Sequence, residues 1–251
     1  MSLTDKVFSL DLDASLLSTS DRMDLFERLK LFSNPVNSHL RERLYYIDLI
    51  DVCDKPGKGI RSKMWGILRP HIFEFIDFLF EYCQSIMIWS AGQPKYVSAI
   101  SNILFPFSGK QPKLVYSHDD CYEKKGDLYK PLEKAFSDPH GEGHFRPENT
   151  FHLDDRTDVI SLDPKNGIHI PAYDPKFTPE GILEDDISLL QLKYWLLLPE
   201  VRASKDIRLL DKSTIFKVKL EVYHKMLSKL PKIIYPKKES LTDFDSLDLS
   251  E

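Results

Sequence analysis

Asp11 and Asp13 stand two residues apart at the end of the apolar run Val7, Phe8, Leu10. In an extended chain, side chains two apart share a face. The spacing therefore sets two carboxylates side by side at the carboxyl end of a buried strand, where open α/β sheets bind ligands. Like charges in one site need a metal, a proton or a cation to coexist. Taken alone, the stretch reads equally well as a strand fraying into an acidic turn. Further polar residues fall at the ends of later strand-like runs or beside them: Ser90, Lys130 and the pair Asp154/Asp155. Carboxylates, a hydroxyl and an ammonium group could together serve phosphoryl transfer, which needs an in-line nucleophile and cations against developing charge. Singly, each has a plainer explanation: a helix cap, a solvated lysine, a turn. No glycine-rich phosphate loop of the Gly-Lys-Ser/Thr type is present.

The elements that must position these residues follow from periodicity and punctuation. Residues 7–13 form the first strand. Residues 18–42 read as an inserted helix and loop, with Ser20 or Asp21 as cap and a stop at Asn34-Pro35. Residues 43–53 and 60–68 have β-type composition around the turn cluster 54–59, and predict a β-hairpin after the first strand. Its loop carries Lys55, Lys58, Arg61 and Lys63, a solvated face or a contact for an anionic substrate. A helix follows Arg69-Pro70, with Ile72, Phe75, Ile76 and Leu79 on its apolar stripe. Residues 85–89 make a strand, and Tyr96, Val97, Ile100 and Leu104 mark the next helix. Strands are expected at 113–116, 150–153, 159–162 and 167–170. Helices are expected over 130–136, with charged loops around Lys130, and over 185–198. This alternation predicts an α/β fold, a parallel sheet with helices on both faces. Residues 212–235 read as a further helix. The tail after it interleaves Phe244, Leu247 and Leu249 with Asp243, Asp245, Asp248 and Glu251, a pattern able to dock on a partner.

The bulk numbers narrow the function classes. The chain has 251 residues, 42% of them hydrophobic, and a formal net charge of −5. It can bury a sizeable core and has no overall basic field for nucleic acid. Three cysteines without paired spacing read as free thiols of a reducing, intracellular compartment. No signal pattern opens the chain, and no apolar run approaches the ~18 residues of a membrane span. His140 and His144, with Cys121, read as residues of a glycine-rich loop rather than zinc ligands.

Five stretches in order carry a resemblance. They are Val7 to Leu17 with Asp11-x-Asp13, Leu68-Arg69-Pro70-His71, Ile88-Trp89-Ser90-Ala91-Gly92 with Tyr96-Val97, Leu128-Tyr129-Lys130-Pro131-Leu132, and Thr150 to Asp155. Asn166-Gly167-Ile168 and residues 185–208 extend it. Over residues 6–210 the chain resembles the haloacid dehalogenase (HAD) superfamily, and within it the NLI-interacting-factor-like small C-terminal-domain phosphatases. The resemblance implies a HAD-like Rossmannoid domain over residues 1–211, followed by the helix and acidic tail of 212–251. It implies that Asp11 attacks phosphorus, that Asp13 handles protons, that Ser90 binds a phosphoryl oxygen and that Lys130 neutralises charge. It also implies an Mg²⁺ held by Asp11, the Asp13 backbone carbonyl and Asp154, with Asp155 ligating through water or orienting Lys130.

The implied substrate is phosphoserine or phosphothreonine in a protein tail, such as the C-terminal repeats of RNA polymerase. Alternatives are a small-molecule phosphatase and a non-enzymatic binding or structural protein, a virion component were the source a large DNA virus. Segments 18–42 and 212–251 are the candidate protein interfaces. The chain departs from the family pattern at Ser15 for Thr, Ala14 for Glu and Asp155 for Asn, and in the length of 18–42.

Overall fold

The computed structural model describes residues 2–50, 58–219, 221, 222 and 225. In chain order its elements are β1 (Val7–Leu10), β2 (Leu17–Ser20), α1 (Met23–Arg28), β3 (Leu44–Ile50), β4 (Arg61–Leu68), α2 (Ile72–Tyr82), β5 (Ser85–Trp89), α3 (Pro94–Leu104), β6 (Leu114–Tyr116), β7 (Tyr122–Lys124), β8 (Asp127–Tyr129), α4 (Glu133–Ser137), β9 (Thr150–Asp154), α5 (Thr157–Ile160), β10 (Gly167–His169), α6 (Pro179–Leu183), α7 (Ser188–Leu197) and α8 (Pro199–Ala203). A 3₁₀ segment over Pro35–Arg43 precedes β3.

Five strands form a parallel sheet in the order β10-β9-β1-β5-β6. All four residues of β1 are buried, as a strand covered on both faces requires. Alternation sorts them. Phe8 and Leu10 pack with Phe75, Ile100 and Leu192 from α2, α3 and α7. Val7 packs on the other face with Trp89, Leu132 and Ala135. The predicted α/β sheet with helices on both faces is therefore present.

The register sets the site. Leu10 stands opposite Ile88 of β5 and Leu153 of β9. The Asp11 amide still donates to the Leu153 carbonyl at 3.0 Å. Asp11, Ser90 and Asp154 thus emerge at the same carboxyl edge of three adjacent strands.

The predicted hairpin is present as β3 and β4, paired antiparallel. It gains a third strand, because β2 pairs with β4 on its other side. Residues 18–20, expected within an inserted helix and loop, are therefore strand. A tight reversal after Asp13 makes this possible. Ala14 takes a left-handed φ of 59°, and its amide donates to the Leu17 carbonyl at 2.8 Å while the Leu16 amide reaches the Leu12 carbonyl at 2.7 Å. The rest of the insertion covers this sheet. Phe26, Leu29, Leu31 and Leu40 bury Trp65 and Ile67 in a second core, so 18–42 is packed structure rather than a loose extension. The helix stops at Arg28 rather than at Asn34, whose side chain accepts from the Val36 amide and caps the 3₁₀ segment.

Other expectations shift locally. Of residues 159–162, read as strand from their apolar run, Val159 and Ile160 are the buried last two residues of the short helix α5 and 161–162 form the turn after it. The charged stretch before Lys130 is a two-stranded hairpin, β7-β8, and the helix after it begins at Glu133. Of the expected helix at 212–235, residues Ile215–Lys217 form one 3₁₀ turn, and most of the remainder, with the acidic tail, lies outside the described residues. Lys55 also lies outside them. Arg61, from the same basic loop, is paired with Asp48 across β3 and β4, its Nε 2.7 Å from Oδ1. Cys83 and Cys121 are free thiols. Among the described residues no helix is long and apolar enough to cross a membrane.

Candidate active site

Lys130 is the centre of a buried ionic cluster. Its Nζ donates to Asp11 Oδ1 at 2.5 Å and to Asp154 Oδ2 at 2.7 Å. Asp11 follows β1, Asp154 ends β9, and Lys130 follows β8, so three separate strands deliver the cluster. The other Asp154 oxygen accepts from the Arg156 amide at 2.9 Å, which fixes the turn after the strand. Asp155 follows at once and remains partly exposed. Oxygens of Asp11, Asp154 and Asp155 lie within 4.8 Å of one another.

Charge is not balanced here. Burial raises the Asp11 carboxyl above the ordinary carboxylate range; Lys130 opposes this and the neighbouring Asp154 adds to it. Burial alone would depress the Lys130 ammonium, but Asp11 and Asp154 overcome that and raise it. Burial, with Asp11 nearby, also raises Asp155. One ammonium thus serves a group of three acids. An all-oxygen donor set with surplus negative charge fits a hard divalent cation. Asp11, Asp154 and Asp155 are the side chains that could hold it. It would supply positive charge against the oxygens of a phosphoryl group.

Asp13 belongs to a different neighbourhood. Its side chain, expected beside Asp11, lies outside the group of three acids. Its Oδ1 accepts from Tyr96 at 2.6 Å and from Thr19 at 2.7 Å. The Thr19 hydroxyl also lies 2.5 Å from the Tyr45 hydroxyl and 2.6 Å from that of Tyr96. Burial raises the Asp13 carboxyl; the bonds from Tyr96 and Thr19 oppose this, and Asp11 adds to it. The two acids are thereby separated: Asp11 answers to Lys130, and Asp13 answers to hydroxyls.

Ser90 is buried at the end of β5. Its Oγ accepts from the Gly92 amide at 3.0 Å, which leaves its own O–H for donation. Gly92 is required for close packing, because a Cβ there would sit 2.6 Å from the Tyr96 ring.

Arg69, singled out within an Arg-Pro pair, has a positioning part. It is fully buried. Its Nε and Nη2 bind Asp186 in a fork at 2.9 Å each, Nη1 donates to the Ser15 carbonyl at 2.7 Å and Nη2 to the Pro171 carbonyl at 2.8 Å. The loop after Asp13 is thereby tied to the C-terminal part of the domain. Asn166 acts similarly on the sheet, donating to the Thr150 and Pro147 carbonyls at 2.7 and 2.6 Å. The following Gly167 leaves room for the Ile160 side chain. Asp186, Thr19, Tyr45 and the hydroxyl of Tyr96 are the residues that sequence reasoning did not assign. A threonine on a short strand and tyrosines in amphipathic patterns carry no local signal of this use.

Three comparisons bear on the family. The model of the NLI interacting factor-like phosphatases matches residues 6–208. No curated protein matches the chain. Among solved structures, an arginine variant of the fission yeast RNA polymerase II CTD phosphatase Fcp1, bound to beryllium fluoride, is similar with a TM-score of 0.55 and 19% identity, over 68% of this chain and 42% of that one. A second structure of Fcp1, described as an essential RNA polymerase II CTD phosphatase, gives a TM-score of 0.55 and 17% identity, over 90% of this chain and 62% of that one. The chain therefore spans less than two thirds of either structure.

Proposed function

The chain belongs to the NLI interacting factor-like phosphatase family, and from that premise we propose that it is an Mg²⁺-dependent phosphatase of phosphoserine or phosphothreonine in protein tails. The observation that carries this reading is the separation of the two acids. Asp11 lies against Lys130 in a carboxylate cluster, while Asp13 is held by hydroxyls. One acid lies beside an ammonium group, which suits a nucleophile for phosphorus, and the other lies beside hydroxyls, which suits a group that handles protons.

In the proposed reaction an Asp11 oxygen attacks phosphorus as the bond to the ester oxygen breaks. Asp13 gives its proton to the departing serine or threonine oxygen. The aspartyl-phosphate is then hydrolysed: Asp13 takes a proton from water, the water oxygen attacks phosphorus, and Asp11 is regenerated with release of phosphate. Lys130 offsets charge on Asp11 and the phosphoryl oxygens, and the Ser90 O–H donates to one of those oxygens. Asp11, the Asp13 backbone carbonyl and Asp154 would hold Mg²⁺, with Asp155 acting through water.

The hydroxyls around Asp13 support a role in proton handling. Four contacts of 2.5–2.7 Å join Asp13, Thr19, Tyr45 and Tyr96. Fcp1 is described as acting on the CTD of RNA polymerase II, and repeats of that kind are the proposed substrate class here.

The test is hydrolysis of p-nitrophenyl phosphate and of serine-phosphorylated tail peptides by folded protein, with Mg²⁺ and with chelator. Activity that needs the metal and disappears in Asp11→Asn is expected. Folded protein inactive on both substrates with Mg²⁺ would sink the reading.

A further inference from the structure

Thr19, Gly66 and Tyr45 occupy one cross-strand row of the antiparallel sheet. Thr19 stands opposite Gly66 of β4, and Gly66 stands opposite Tyr45 of β3. A phenol on an outer strand ordinarily cannot reach the far outer strand, because the central residue's side chain intervenes. Here the central residue has no side chain. A Cβ on Gly66 would run into the Tyr45 hydroxyl and the Ser18 carbonyl. The Tyr45 ring therefore crosses the bare backbone and brings its hydroxyl 2.5 Å from Thr19 Oγ1. Tyr96 approaches from the first turn of α3 and contacts both Thr19 and Asp13, each at 2.6 Å.

We propose that Thr19, Tyr45 and Tyr96 are positioning residues that hold the Asp13 carboxyl toward the leaving-group oxygen, and that Gly66 is the slot that admits Tyr45. The projecting sheet then contributes to the reaction itself, since two of the three hydroxyls come from it. This rests on Asp13 being the proton donor. Asp13 cannot orient itself: it follows β1 by three residues and is followed by the left-handed Ala14. Among the described residues, its side-chain hydrogen bonds come from Thr19 and Tyr96. Thr19 is fixed in turn by Tyr45, so the order of action is Tyr45 on Thr19, and Thr19 with Tyr96 on Asp13.

A group that aims a proton donor matters most when the leaving oxygen is strongly basic. A serine alkoxide needs the proton; p-nitrophenolate leaves without much help. The experiment compares kcat/KM, which reports the step in which the leaving group departs, on a serine phosphopeptide and on p-nitrophenyl phosphate for wild type, Asp13→Asn, Thr19→Val, Thr19→Ser, Tyr96→Phe and Tyr45→Phe. Asp13→Asn sets the scale of lost proton donation. Thr19→Val and Tyr96→Phe are expected to lower the peptide-to-aryl ratio about tenfold or more, Tyr45→Phe less, and Thr19→Ser to restore it. If Asp13→Asn collapses the ratio but Thr19→Val and Tyr96→Phe lower both substrates equally, the hydroxyls only support the fold and the proposal is overturned. If Asp13→Asn leaves the ratio unchanged, the assignment of Asp13 fails, and the positioning proposal with it.

Discussion

Arg69 with Asp186, and Lys130 with Asp11 and Asp154, are two buried ionic clusters built to opposite specifications. The Arg69 guanidinium meets one forked carboxylate and two backbone carbonyls, so its charge is matched and four of its five N–H donors have acceptors. Burial works against the Asp186 carboxylate, yet Arg69 outweighs it and lowers that carboxyl below the usual range. The Lys130 ammonium faces two carboxylates with a third in reach, and there burial keeps Asp11 raised. The first cluster holds the loop behind Asp13 to the rest of the domain. The second is left with negative charge that a cation would offset. A matched buried pair is structural, whereas a mismatched one stores the electrostatic demand that chemistry can use.

This contrast breaks most visibly at Asp11. Asp11→Asn should lower phosphatase activity at least about a thousandfold, and leave thermal stability in metal-free buffer at pH 7 unchanged or raised. A loss of activity accompanied by marked destabilisation would show that the two clusters are alike. Arg69→Met should behave the opposite way. It strands Asp186 and two carbonyls, and a loss of about 3–5 kcal/mol in urea unfolding is expected for a broken buried pair. A cost below about 1 kcal/mol would remove the structural assignment.

Metal binding sharpens the comparison next. Mg²⁺ at one hundred times its Kd should stabilise the folded chain by about 2.7 kcal/mol, seen as a rise in Tm. Asp154→Asn should abolish that rise. A shift that survives Asp154→Asn would move the metal elsewhere.

Acidity gives the smallest effect, and its sign differs between the clusters. Asp186 is lowered in the fold, so its contribution is present above the ordinary carboxylate pKa of about 3.9 and is lost as pH falls through its folded value. Asp11 is raised, so ionising it costs stability as pH climbs from about 3.9 through its folded value. In metal-free buffer the acid limb of the stability curve should flatten in Asp186→Asn. The advantage of Asp11→Asn should grow from pH 4 toward neutrality. Parallel curves for the two variants would erase the distinction.

Much of the fold is visible in the residues. The apolar run before Asp11, the amphipathic stripes of α2 and α3, and the Asp-x-Asp, Ser90, Lys130 and Asp154 series mark a parallel α/β sheet with polar groups at its carboxyl edge. Short elements carry a weaker signal. Residues 17–20 lack a distinctive pattern and become a strand only because the reversal at Ala14 presents them to β4. The run at 159–162 is apolar enough for strand or helix, and its length alone does not separate them.

What the sequence by itself determined is which chemical groups this chain carries to a sheet edge, because alternation along a buried strand and polar residues at its end are local properties. What the tertiary structure decided is how those groups divide. Lys130 comes to Asp11 across 119 positions of chain, and Tyr96 to Asp13 across 83. The row Thr19, Gly66, Tyr45 exists only once three strands are in register. Partnerships of that kind depend on strand order and cross-strand register, which are set by burial of whole faces, and no window of neighbouring residues contains them.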